Sequence, residues 1–520
     1  MRQSLIFLAV FLCGTVEEIG LAARGQEPDP TPAPPKRVGD KKALSEVHPA
    51  PKSSRYPRNL LLTIETIENG YVRPVARMDL LFAALNGLYE ANGESPPTNL
   101  RVDVEKAIKA NQASRLLEEA KKRAPRLNDE EALLASCRGM MRTLDSYCEV
   151  LIADDARRGS GQMDNFGTGI DLEEADGRGS LRIKDVLPGS PAQRAGLRPG
   201  DRIVKIDNQS LQAVDAIEAN QLLNQGPTRV GQNSILPDTE FQLTSQVRLQ
   251  VERDSKARML DFTVERVPFH AETVHGIQRL ENNQWSYWID RENKIAQARV
   301  GALRNETSDE LRQVLTRLQT DGMRGLLLDL RGCPGGLLNE AVNVAGLFLP
   351  ECRIYSAKGR AQGSSADYDT KEPGPFSSLP VMVLVGRDTS GAGELIAAAL
   401  KDNRRVLVAG QRTRGKASIQ VMVAVPARGA YLKLTTAIFI RPNGKNLHRF
   451  PDSKPLDDWG VRPDDGLDFR VSPAMNQQVR EWWVAQTLRP GWSRERLPLD
   501  DPENDPQRQL ALQALRERLK

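Results

Sequence analysis

Three short stretches bring together residue types that do chemistry in combination: LDLRGCPGG at 328–336, TSGAGE at 389–394 and GKASIQ at 415–420. The second offers the hydroxyls of Thr389 and Ser390, and the third a lysine, Lys416. A serine hydroxyl is a weak nucleophile near neutral pH and needs an adjacent base. A lysine fills that part only when burial lowers its pKa towards neutrality. The turn at Gly335 and Gly336 presents backbone N–H groups of the kind that hold an oxyanion. A Ser/His/Asp arrangement is disfavoured, because His48, His270, His275 and His448 all lie outside these stretches, and His448 reads as a surface or loop residue. Thr389 and Ser390 also suit the plainer task of capping a helix. Cys333 would be a nucleophile only with a lowered pKa and open access. The cysteines lack C-x-x-C spacing, so neither a metal nor another cofactor is implied.

The elements that must position these residues are legible on either side. An apolar run, Leu326–Leu330, ends in the Gly/Pro turn and leads into a helix, which is a βα unit; Val381–Val385, the turn 387–391 and a helix over Gly393–Leu400 repeat the pattern. A strand at Ile295–Val300 and a helix at Thr307–Gln319 precede them. Helical periodicity runs from Leu60 to about Arg157, and the tail from about Met475, with Trp482 and Trp483, reads as a helix packing on the body. Asp329 and Arg331 read as a salt bridge fixing their turn.

Between the helical region and the βα units, FGTGIDL at 166–172 and LRIKDVLPGSPAQRAGLRPGDRIVKIDNQSL at 181–211 resemble a PDZ domain of the bacterial protease type, with an insert around 225–246 that departs from the compact pattern. That resemblance makes Phe166, Gly167, Thr168, Gly169 and Ile170 the peptide-binding loop. Its N–H groups would hold a terminal carboxylate while the peptide adds as a strand to the sheet edge. The βα motifs, in their order, resemble the C-terminal processing (tail-specific) peptidase family of Ser/Lys endopeptidases. The resemblance covers about residues 60 to 470 and implies that Lys416 is the base, Gln420 orients it, and Gly335 and Gly336 form the oxyanion hole. The family's nucleophile stands three residues before the glutamate of its strand-to-helix motif. Counting back from Glu394 reaches Gly391, with Ser390 the neighbouring hydroxyl. Arg414 also stands where the family has an aromatic residue, and Gly332 and Cys333 replace two asparagines.

The expected fold is therefore multi-domain α+β: signal peptide 1–25, Pro-rich tether 26–58, helical N-terminal region 59–160, a β-barrel-like PDZ domain 165–268, an α/β peptidase core 269–470 and a helical tail 471–520. Arg2 and the apolar run Leu5–Leu12 have the form of an export signal, and no later run approaches transmembrane length. With 72 basic and 68 acidic residues the charge nearly cancels, giving no electrostatic case for nucleic acid. Cys137 and Cys148 are left as either a disulfide or two buried thiols. By resemblance the function is cleavage of exported proteins near their C-termini, with exposed tails as partners and with an auxiliary protein or homo-oligomer left open. The alternative is a pseudopeptidase that binds tails as an adaptor.

Overall fold

The structure is a computed structural model describing residues 54–152, 165–174, 181–207, 209–211, 219, 222–223, 245–253, 258–280, 282, 284–361, 363–427, 429–488 and 505–520. The export signal, most of the tether and nearly all of the 225–246 insert lie outside these residues. The described chain divides into two units, one holding residues up to 153 together with 420–435, the other holding 154–419 and 436–520.

The first unit is helical, with Tyr56–Gly70, Arg77–Asn92, Leu100–Lys109, Ala113–Arg123 and Asp129–Met141 around one core. Pro57 sits in the first turn, where a missing N–H costs nothing, so the opening helix begins inside the segment read as tether. Arg77–Asn92 and Asp129–Met141 meet backbone to backbone: a Cβ on Gly87 would fall 2.5 Å from Ala135 O. Asn128 and Glu131 form a reciprocal cap on the last helix. Helical spacing points to helix as far as about 157, but Glu149–Ile152 is a strand, antiparallel to Ala430–Lys433. Four residues carry too little periodicity to show this, and the partner is remote in sequence. Cys137 and Cys148 are free, buried thiols.

In the second unit the PDZ-like segment is an open sheet, in the order Asn165–Gly167, Arg258–Phe269, Ser245–Arg253, Arg202–Ile206, Leu181–Val186, Ile170–Glu174. Its end strands do not pair with each other among the described residues, so the barrel-like expectation gives way to a sheet with a free edge at Ile170–Glu174. Inward residues such as Ile183, Ile203, Val247 and Val251 fill its core.

The α/β core is built on four parallel strands, Ile295–Val300, Gly325–Asp329, Val381–Val385 and Leu407–Gly410, paired in that order. The first three are buried at every position, as happens when both sheet faces are covered. Leu326, Leu328, Val381 and Val383 face the helices Thr307–Thr320, Leu338–Gly346 and Ala392–Asp402. Leu327, Met382 and Leu384 face Ala511, Leu512 and Leu515 of the tail helix Pro506–Leu519, which closes the other side. Strand ends therefore bring the turns 330–337 and 386–391 together.

Candidate active site

The turn between Val381–Val385 and the helix Ala392–Asp402 is fixed by its hydroxyls and turned by a glycine. Thr389 Oγ1 donates to Leu330 O at 2.8 Å and accepts from Gly386 N at 3.0 Å, tying two strand ends together. Ser390, 3% exposed, donates its hydroxyl to Pro334 O at 2.9 Å, and its N–H donates to Cys333 O. Neither side chain caps the helix. That task falls to Glu394, whose carboxylate accepts the Gly391 N–H at 3.1 Å. Gly391 adopts φ 58°, ψ −126°, a region open to glycine and costly, by roughly 1–3 kcal/mol, for any residue with a side chain. Space is not the obstacle, since a Cβ there would stand 3.4 Å from Pro334 O, 3.8 Å from Lys416 O and 3.9 Å from Gly335 Cα. A side chain at 391 would point between the glycine turn and the Lys416 segment.

The glycine turn has no such latitude. Gly335 and Gly336 have φ of 96° and 141°; a Cβ at Gly335 would lie 2.8 Å from Ala392 N, and one at Gly336 1.9 Å from Leu303 O. Leu303 N donates to Gly335 O and Leu337 N to Leu303 O, a parallel bridge that turns the Gly336 N–H to the opposite side. The Gly335 N–H leans instead on the Cys333 sulfur. The Ala392 N–H, in the first turn of the helix, has no intrahelical acceptor and lies against the glycine turn. Ala392 went unnoticed in the sequence, although its place after the turn residue was the available signal. Cys333 is fully buried and burial pushes its thiol up to about 11, which excludes a thiolate nucleophile near neutral pH.

Glu394 ties the third stretch to the second. Its carboxylate accepts from Gly415 N at 2.7 Å, from the Thr413 hydroxyl and from the Lys416 N–H, in addition to Gly391 N. It is wholly buried, and desolvation raises its pKa to about 7 against these stabilising bonds. Sequence reasoning used Glu394 only as a register mark. His448, read as a surface or loop residue, is buried: its Nδ1 accepts the Ala417 N–H at 3.3 Å, while Arg449 N donates to Gly415 O. The segment 446–449 thus runs beside Gly415–Ala417, a contact between stretches about 30 residues apart that local sequence does not encode. Lys416 itself is half-buried. Gln420 belongs to the first unit, where its Nε2 donates to Thr435 Oγ1 at 3.2 Å.

Asp329 and Arg331 form the expected pair, joined by a residue that was not expected. Arg331 donates to Asp329 Oδ2 and to Asp505 Oδ2, both at 2.8 Å, and stacks over Trp483 at 5.4 Å. In the PDZ-like loop, Gly167, Thr168, Gly169 and Ile170 are buried. Thr168 O accepts from Ala192 N and Gly169 O from Leu187 N, so the loop is held by its carbonyls beside the strand Ile170–Glu174. Phe166 contributes its backbone to Asn165–Gly167.

A strand-to-helix elbow, a glycine turn against it and a PDZ-like sheet together define a PDZ-bearing α/β protein of serine-peptidase type. Residues 294–464 match the model of peptidase family S41, and residues 182–230 that of a PDZ domain. The chain is 27% identical over 322 residues to a carboxy-terminal-processing protease of Bartonella bacilliformis, covering 62% of this chain and 68% of that one. It is 26% identical to the carboxy-terminal processing protease CtpA of Bacillus subtilis, covering 62% of this chain and 63% of that relative. A solved photosystem II D1 C-terminal processing protease shares 21% identity with a TM-score of 0.42, over 80% of this chain and 92% of that one. Residues 294–464 are thus a peptidase family S41 segment preceded by a PDZ segment, and the chain is similar to carboxy-terminal processing proteases.

Proposed function

We propose that the chain engages the C-terminal segments of exported proteins at a serine-type site that lacks its nucleophile, and so binds tails with little or no cleavage. The observation that carries this reading is Gly391: it holds the apex of the elbow with an open Cβ direction facing Gly335 and Lys416 O, while the adjacent Ser390 hydroxyl is buried on Pro334 O. A hydroxyl one residue away is displaced by about 3.8 Å along the chain. Catalytic geometry tolerates roughly 0.5 Å.

In this reading the N–H groups of Gly336 and Ala392 receive the carbonyl of the bound peptide, and the Ile170–Glu174 edge receives its tail as an added strand. Lys416 is the base that a serine at 391 would require. Glu394 positions both, because one carboxylate holds the main chain of Gly391, Gly415 and Lys416. The apolar run Leu5–Leu12 supports export.

A second reading, in which Ser390 is the working nucleophile, is favoured only by its place one residue from the apex, within the site. Incubating wild type, Gly391→Ser, Ser390→Ala and Lys416→Ala with an unfolded protein bearing an apolar C-terminus separates the two. The proposal expects weak or absent wild-type cleavage, a large gain in Gly391→Ser, and loss of that gain on adding Lys416→Ala. Vigorous wild-type cleavage abolished by Ser390→Ala sinks it in favour of the second reading.

A further inference from the structure

Beside the elbow lies a cleft of about 430 Å³ lined by Arg387, Asp388, Pro473, Asn476, Gln477 and Arg480. Two connections place it next to the site. Asp388 directly precedes Thr389, and the Arg414 N–H donates to Thr389 O at 3.0 Å, so Arg414 reaches the same place from the Lys416 segment. Its guanidinium stands 3.4 Å from Asp388 Oδ1. The other oxygen, Oδ2, accepts from Asn476 Nδ2 at 2.8 Å and Arg480 Nη2 at 2.6 Å.

The single carboxylate is thus shared by two guanidiniums and an amide, whereas Arg387 is exposed and has no carboxylate within ion-pair distance among the described residues. Gln477 Nε2 donates to Glu481 on its own helix, and Glu481 does not line the cleft. Arg387 and Arg480 against one aspartate leave a positive lining. Arg414 adds to it at the position where the family pattern has an aromatic residue.

We infer that this cleft is a specificity subsite for a carboxylate of the bound peptide, either an acidic side chain or the terminal carboxylate. The inference rests on the reading of the elbow as the place where the peptide carbonyl is held. Asp388 and Gly391 are three residues apart, so their Cα atoms are separated by at most about 11 Å. An extended peptide advances about 3.3 Å per residue. The recognised carboxylate therefore lies within about three residues of the residue held at the elbow. Arg387 supplies the contact, and the Asp388 latch fixes Arg414 and Arg480 around it.

The test is binding of short fluorescent peptides with a neutral, apolar tail to the full chain, with one Asp walked along the sequence and each peptide made with a free and an amidated terminus. Asp at one or two adjacent positions is expected to tighten binding about five- to tenfold. Arg387→Glu, a change at an exposed residue, should remove that gain and leave the amidated peptides without Asp unchanged. If the walked Asp has no effect but the free-terminus advantage falls with Arg387→Glu, the terminal carboxylate is the source. A terminus effect that Arg387→Glu leaves intact belongs to the PDZ-like loop. The subsite is overturned if neutral peptides bind and no carboxylate effect depends on Arg387. If the wild type binds no peptide at all, the tail-binding reading fails, and the subsite with it.

Discussion

Two glycine-bearing turns meet at the site, and they use glycine for different reasons. At 335–336 the backbone of another segment occupies the space of a side chain, with Leu303 O 1.9 Å from the Cβ that Gly336 lacks. At 391 the nearest atom would be 3.4 Å away, and only the dihedral angles favour glycine. The first glycine pair is therefore a packing requirement of the fold. The second is a conformation that would strain any residue but glycine, yet it leaves room for a side chain. Peptidases keep such strain at a nucleophile because it exposes the reacting atom at the head of a helix. Here a turn of that shape carries glycine, the observation on which the proposed tail-binding role rests.

The sharpest way to break this comparison is Gly336→Ala beside Gly391→Ala. The first forces main chain apart and should cost about 4 kcal/mol or more, or prevent folding. The second should cost only about 1–2 kcal/mol, from its positive φ. Comparable losses in urea unfolding would show that both turns are packed alike.

Next in size is Arg331→Met. It leaves Asp329 and Asp505 buried without their shared cation and should cost about 3–5 kcal/mol. The loss should be visible as a lowered unfolding midpoint. An unchanged midpoint would mean that the tail helix does not depend on the clamp.

Glu394 gives a somewhat smaller effect with a defined pH sign. Its folded pKa, about 7, lies above the ordinary 4.5, so proton binding favours the folded state. That contribution is complete below about pH 4.5 and is lost as pH rises through 7. Relative to Glu394→Gln, wild type should therefore gain about 3 kcal/mol as the pH is lowered across this window. A constant difference between the two proteins would show that Glu394 stays ionised. Ser390→Ala is the smallest of the set, about 1–2 kcal/mol for the stranded Pro334 carbonyl. A larger loss would mean that Ser390 organises the elbow beyond that one bond.

Much of this site is written locally. Buried β-runs followed by Gly-rich turns and apolar helices announce the βα units, because both periodicities are properties of a few consecutive residues. Register counting from Glu394 to Gly391 is also local, once the resemblance supplies the motif to count against. The Asp329–Arg331 pair is likewise local, two residues apart. What the chain could not disclose are contacts between stretches that only the tertiary fold brings together. Ser390 finds Pro334 O across 56 residues, and Arg331 finds Asp505 across 174. Ala417 finds His448, read as a surface or loop residue and in fact a buried one in a loop, and Glu149–Ile152 finds its strand partner near the other end of the chain. The sequence by itself determined most of the elements, their order and the glycine at 391. The tertiary structure decided which hydroxyl is spent on the backbone, which N–H groups line the turn and which carboxylate holds it, because hydrogen-bond partners are selected by proximity in the fold and not by spacing along the chain.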